Sequence, residues 1–172
     1  MTSGARSLNI RQMVPEDWEA VRAIYLDGIA TGEATFETTA PSWDQWNSSH
    51  LPFARLITAS KTDGGVKGWA ALAPLSMRSV YAGVAEVSVY IALDSRGQGL
   101  GRELLTHLIA ESEQHGIWTL QASVFPENLA SIGLHESCGF RAVGIRERIG
   151  RMNGLWRDTL LLERRSKVVG SN

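Results

Sequence analysis

The chain has 172 residues, 44% of them hydrophobic and 20% charged, which fits one globular domain large enough to bury a real core. A formal net charge of −1 gives no global basic field to recruit nucleic acid or an anionic membrane surface, and the single cysteine, Cys138, excludes an intrachain disulfide and fits a reducing compartment. No window reaches the roughly 18 uninterrupted apolar residues of a membrane span, and the opening MTSGARSLNI lacks the apolar segment of a secretory leader, so a cytoplasmic protein is expected.

In chain order, SLNIRQMV (7–14) predicts a strand. PEDWEAVRAIYLDGIA (15–30) predicts a helix: Pro15 suits its first turn, Glu16 and Asp17 suit the positive end of its dipole, and Trp18, Val21, Ile24, Tyr25 and Ile29 recur at helical spacing. TGEATFETTAPS (31–42) is an expected loop, and SWDQWNSSHL a short helix opened by a serine cap. ARLITASK and VKGWAALAPL flank the turn TDGG as a hairpin. AEVSVYIAL (85–93) alternates as a strand, with Val87, Val89 and Ile91 on one face and Glu86, Ser88 and Tyr90 on the other. Leu100, Leu104, Leu105, Leu108 and Ile109 then make a helical stripe that stops near His115–Gly116. TLQASVF (119–125) is a strand, NLASIGLHESCGF (128–140) a helix from an asparagine cap to a glycine stop, and RAVGIRERIG and RDTLLLER are closing strands. The sum is one mixed α/β domain over residues 1–172, core about 7–163, with a mostly antiparallel central sheet, helices on both faces, and SKVVGSN as a frayed tail.

The first seven residues of SRGQGLGRELL (95–105) set an arginine and three glycines at the start of the long helix. Exposed amides at a helix N-terminus, with the dipole behind them, make an anion site, and glycines let a phosphate approach the backbone. A tight turn without a ligand would also use such glycines. No Lys-Ser/Thr follows them, which excludes a P-loop, and neither Arg102 nor Leu104 supplies the third glycine of a dinucleotide fingerprint.

What remains is Arg96-x-x-Gly99-x-Gly101 after a strand and before a helix, and Asn128-x-x-Ser131-x-x-Leu134 running to Gly139-Phe140 some thirty residues on. In these two motifs the sequence resembles the GNAT superfamily of N-acetyltransferases. ATFET (34–38), MRSVY (77–81), AEVSVYI (85–91), LHESCGF (134–140) and GLWRDTLLLER (154–164) further resemble its branch acting on phosphinothricin and methionine sulfoximine or sulfone. The resemblance implies acetyl-CoA as donor, no metal, a small amino-acid-like amine as acceptor attacked in a ternary complex, and a homodimer without nucleic acid or membrane partners.

It also implies roles for residues. Backbone groups of Val89, Tyr90 and Ile91 would bind the pantetheine arm as an added strand, one N–H polarising the thioester carbonyl. Arg96, Gly97, Gln98, Gly99, Leu100, Gly101 and Arg102 would hold the pyrophosphate, with Asn128 and Ser131 on the arm or the phosphate region. Glu86 is the candidate base, beside Val87 on the acceptor strand; its alternative is a solvated strand carboxylate. His135 stands where the wider superfamily often has tyrosine. It is a candidate to protonate the departing thiolate or carry a proton from the amine, or else a packing residue. Arg78 and Ser79 are candidates for a substrate carboxylate or phosphinate, and Phe36 and Glu37 for the acceptor wall. Trp69, Trp118 and Trp156 are expected in the core or a dimer contact. Cys138 precedes the helix stop and is expected to pack rather than pair with His135, and His50, His107, His115 and His135 show no metal-ligand spacing. Two other readings stay open: a peptide N-terminus or polyamine as acceptor, and a non-catalytic acyl-CoA sensor.

Overall fold

A computed structural model describes residues 8–171; Ser7 of the expected first strand and Asn172 of the expected tail lie outside them. The elements are β1 (Leu8–Gln12), α1 (Trp18–Ala30) after a 3-10 turn at Pro15–Asp17, α2 (Trp43–Ser49), β2 (Leu56–Ser60), β3 (Val66–Pro74), β4 (Val84–Ile91), α3 (Leu100–Gln114), β5 (Thr119–Val124), α4 (Leu129–Ser137), β6 (Arg141–Met152) and β7 (Leu155–Arg165). They form one seven-stranded sheet in the order β1-β2-β3-β4-β5-β7-β6, antiparallel except for the β4–β5 pair. The expected mixed α/β architecture is therefore present.

The two faces carry separate cores, as the alternation of β4 requires. Val87, Val89 and Ile91 pack with Leu104, Leu105, Leu108 and Ile109 of α3, Leu134 of α4, and Leu120 and Leu162. Complete burial of the α3 leucines contributes about 1.5–3 kcal/mol each. Tyr90 faces the other way, among Trp18, Val21 and Ile24 of α1, Trp46 of α2 and Trp69 of β3, where its ring stacks on Trp69 at 4.9 Å.

One irregularity creates the site. The parallel β4–β5 ladder runs only from Val84↔Thr119 to Glu86↔Gln121, while β4 continues to Ile91 and β5 turns away with β7. The sheet splits there, and the β4 edge beyond Glu86 has no strand beside it on that side among the described residues.

The tail is a correction. Ser166 N–H donates to the Trp118 carbonyl at 2.8 Å and Ser166 Oγ to Glu113 at 2.8 Å. The Arg165 guanidinium reaches the carbonyls of Trp118, Val169 and Gly170, so the chain is fastened through residue 170 instead of fraying. Trp69 is core and Trp118 packs its ring on Gly83, but Trp156 is 60% exposed and belongs to no core. No helix among the described residues is long and apolar enough to cross a membrane.

Candidate functional site

A cavity of about 990 Å³ fills the split in the sheet, bounded by β4, β5, the start of α3, α4 and the loop after α1. Its floor is the free edge of β4. A strand edge without a neighbour offers alternating N–H and C=O groups to an extended, amide-bearing ligand. Val87, Val89, Tyr90 and Ile91 all border it.

At one end lies the glycine turn. Gly97 and Gly99 have φ of 72° and 81°, the left-handed region that glycine enters without strain, and Gly99 caps α3 without offering any side chain to the first-turn amides. Those amides are left for a ligand. Arg96 donates from Nε to the Ile91 carbonyl at 3.1 Å, which holds its guanidinium beside the turn, and Arg102 follows on the first turn of the helix. Close packing explains Gly101: a Cβ there would come within 3.1 Å of Leu134. Gln98 does not line the cavity and instead donates to the Asp94 carbonyl at 3.2 Å.

At the other end Glu86 sits at the last rung of the ladder. Gln121, its register partner, donates from Nε2 to Glu86 Oε2 at 3.0 Å, which fixes the carboxylate at the point where the strands separate. The remaining carboxylate oxygen keeps its acceptor capacity.

His135 is 4% exposed and faces the cavity from α4. Its Nδ1 lies 2.7 Å from the Ser131 carbonyl, which only accepts, so Nδ1 carries the hydrogen and Nε2 is an acceptor. Burial holds the imidazole below the ordinary histidine range, so it is neutral. Nε2 is buried with no partner, and so is Thr159 Oγ1 of β7, which also borders the cavity. Two orphaned polar atoms in one cleft suit a polar ligand there. Cys138 is half-buried with its Sγ 3.9 Å from Ser137 Oγ.

The loop over the cavity is held from four elements. Asn128 caps α4 by accepting from Ser131 N–H at 3.1 Å, while its Nδ2 donates to the Glu33 carbonyl at 3.2 Å. Arg157 donates to the Gly32 carbonyl at 2.8 Å with its guanidinium 3.8 Å from the Phe125 ring centre. Phe36 packs edge-on against Phe125 at 4.9 Å and over Gly150, where a Cβ would come within 2.7 Å of the ring. Asn128 is thus a cap and a tether, with both ends of its amide engaged.

The structure brings Phe36, Glu37, Glu86, Val87, Val89, Tyr90, Ile91, Arg96, Gly97, Gly99, Leu100, Gly101, Arg102, Asn128, Ser131 and His135 to one cavity. Arg78 and Ser79 are outside it: Arg78 is exposed with its guanidinium 5.5 Å from the Tyr81 ring centre. Sequence reading missed Thr159, Arg157 and, as a cavity residue, His50. Nothing in the local pattern of any of them marks a site, because Thr159 and Arg157 arrive there through the register of β7 and His50 through the packing of the α2 end against the sheet. Among the described residues no group of three His, Cys, Asp or Glu side chains gathers to hold a metal.

The features fit coenzyme A: an uncapped helix start for a diphosphate, an open strand edge for a chain of amides, and a carboxylate where the edge ends. Residues 10–161 match the family described as Acetyltransferase (GNAT) domain. The chain is 37% identical over 164 residues to the phosphinothricin N-acetyltransferase of Alcaligenes faecalis, covering 90% of this chain and 81% of that one. It is 30% identical over 161 residues to the L-methionine sulfoximine/L-methionine sulfone acetyltransferase of Pseudomonas aeruginosa, covering 91% and 94%. The crystal structure of a phosphinothricin acetyltransferase from Sinorhizobium meliloti in complex with acetyl-CoA superposes with a TM-score of 0.85 at 25% identity, covering 96% of this chain and 92% of that one.

Proposed function

The chain belongs to the GNAT family of acetyl-CoA-dependent N-acetyltransferases, and from that premise we propose that its acceptor is the α-amine of a small amino-acid analogue of the phosphinothricin or methionine sulfone type. The observation that carries the reading is the convergence, at one split in the sheet, of the uncapped α3 turn, the open β4 edge and Glu86.

Acetyl-CoA supplies the acetyl thioester. The α3 amides with Arg96 and Arg102 hold the diphosphate, and the β4 edge aligns the pantetheine arm so that one of its N–H groups meets the thioester oxygen. The amine arrives largely as ammonium. Glu86, oriented by Gln121, takes one proton and frees the nitrogen lone pair. The C–N bond forms as the C–S bond breaks, and the nitrogen sheds a second proton while the sulfur gains one. His135 enters this exchange as an acceptor, since its only N–H is committed to the Ser131 carbonyl. A proton that it gives to sulfur must first be taken from nitrogen.

One observation favours a second acceptor class. The cavity wall carries Glu33, Glu37 and Glu86, and among the described lining residues the only Arg or Lys side chains, Arg96 and Arg102, belong to the α3 turn. Such a wall suits an acceptor with more than one positive charge, such as a polyamine. A homodimer built on the exposed β6–β7 face, and a cytoplasmic location consistent with one free cysteine, belong to the same proposal.

Release of free CoA is the test, measured with methionine sulfone, a polyamine and a short peptide. Methionine sulfone is expected to be the best acceptor. Glu86→Gln should lower kcat by about 10²–10⁴-fold, the usual worth of a positioned base, with CoA affinity unchanged. Glu86 leaves the mechanism if the rate survives, and the acceptor class changes if the polyamine wins.

A further inference from the structure

His50 ends α2 and borders the same cavity, yet no role in the reaction above has been given to it. Its position is built with care. The ring stacks on Trp46 at 4.2 Å with 19° between the planes, and Nδ1 lies 2.8 Å from the Trp46 carbonyl and 3.1 Å from Ser49 Oγ. A carbonyl only accepts, so Nδ1 carries the hydrogen and Nε2 presents a lone pair.

Arg55 locks the backbone around it. The guanidinium donates to the carbonyls of Asn47, His50 and Leu51, the ends that a helix C-terminus leaves unsatisfied, and sits 5.3 Å from the Trp46 ring centre. Leu51 N–H then donates to the Leu72 carbonyl at 2.8 Å, which stitches the segment to β3. In the β3–β4 register Leu72 faces Val87 and the next residue, Ala73, faces Glu86. Directly opposite residues of an antiparallel pair share a face, so Ala73 and Glu86 lie on the face where Trp46 and Trp69 pack and where His50 stacks. Ala73 also borders the cavity. Its side chain adds only a methyl group to the cavity wall beside Glu86.

We propose that His50 Nε2 is a second acceptor for the substrate amine, facing Glu86 across Ala73, so that the ammonium docks between a carboxylate oxygen and a neutral imidazole. This rests on the proposed N-acetyltransferase reaction and adds to it the group that aims the nitrogen. An ammonium has three N–H bonds. The proton leaving nitrogen passes to Glu86 or to His50 Nε2 without any further reactant. The lone pair it leaves first lies along that broken bond, and the other acceptor keeps the nitrogen in place while the amine rotates or inverts to turn the pair to the thioester. The charged group against the imidazole is Arg55, just before β2, and Glu86 of β4, Glu37 and Tyr25 line the same cavity. Burial, and secondarily Arg55, keep the ring below the ordinary histidine range, which suits an acceptor at neutral pH.

The test uses the full chain loaded with acetyl-CoA and methionine sulfone as the amine. His50→Phe keeps the aromatic stack on Trp46 and removes the acceptor. It should raise KM for the amine about 10- to 100-fold, as loss of a hydrogen bond to a charged group does, and shift the acid limb of the kcat/KM pH profile, with CoA affinity unchanged. His50→Gln, which keeps an acceptor oxygen, should recover part of the KM but not the wild-type pH profile. Ala73→Val, which narrows the gap, should raise KM in the same way. In nitrogen NMR of wild type, the Nε2 resonance of His50 should move on adding the amine. An unchanged KM and pH profile in a folded His50→Phe enzyme overturns the assignment, as does an Nε2 resonance that ignores the amine. Failure of wild type to acetylate methionine sulfone while another amine reacts removes the acceptor class instead, and the same measurements repeated with that amine then decide for or against His50.

Discussion

At the scale of single residues, the two histidines of the cavity share a design: each spends Nδ1–H on a carbonyl of its own helix and keeps Nε2 as an acceptor. Burial depresses both, so the native protein prefers them neutral. The unfolded chain protonates them near the ordinary value of about 6.5. Between that value and the lower native one the unfolded state binds more protons, so stability falls as pH falls. Asp17 acts in a separate window. Bidentate hydrogen bonds from Arg11 at 2.7 and 2.8 Å hold it below the usual carboxylate range, so its contribution is present above about 3.9 and is lost only as pH falls through its lower native value. Melting curves between pH 7.5 and 5 therefore read the histidines. Tm is expected to drop across that range, and His135→Phe, which fills the buried site without titrating, should reduce the drop. A Tm that stays flat in wild type would refute the depressed histidines.

At the scale of elements, the start of α3 separates backbone strain from function. Gly99 at its N-terminus and Gly116 just beyond its C-terminus have nearly the same φ, 81° and 78°. Alanine at either forces a left-handed residue and costs about 1–2 kcal/mol. Only Gly99 borders the cavity. Gly99→Ala is expected to weaken CoA binding about tenfold, the order of one lost amide–phosphate hydrogen bond, whereas Gly116→Ala should lower Tm comparably and leave CoA affinity intact. Calorimetric titration with CoA compares the two; equal losses of affinity would mean that the turn acts through stability alone. This element was legible in the sequence because its information is local: glycine spacing, an arginine, and an alternating strand just before it. Asn128 was half legible. Its capping of Ser131 follows from a helix start, but its bond to the Glu33 carbonyl crosses 95 residues and no short pattern encodes it. The Asn153–Gly154 turn between β6 and β7, with φ of 51° and 80°, was available as a hairpin signal and went unread. His50 and Thr159 were not legible at all, since their place depends on which sheet face a distant register exposes.

For the whole molecule, the unbalanced feature is β6. It is the outer strand of the sheet, exposed along most of its length, and with the start of β7 it leaves Val143, Ile145, Ile149, Leu155 and Trp156 between 45% and 69% open. Single exposed apolar residues are ordinary, but a run of them on one hairpin is an interface or an aggregation hazard. The strand also carries the usual guards against open-ended pairing. Register shifts at Ala142/Gly144 and Arg146/Gly150 break its ladder, Arg148 takes φ of 48° with its N–H on Asp158, and Arg141, Arg146 and Arg151 add charge. An edge that resists endless pairing yet keeps its apolar side chains suits a closed contact between two copies, which needs about 800 Å² from each. Sedimentation of the wild-type chain at micromolar concentration is expected to give the mass of a dimer. Ile145→Glu combined with Trp156→Glu, placing carboxylates where the two copies would meet, should give a monomer that still binds CoA, because the α3 turn and the β4 edge lie in one chain. A wild-type chain that sediments as a monomer leaves the apolar hairpin without that explanation, and a double variant that stays dimeric moves the contact to another face.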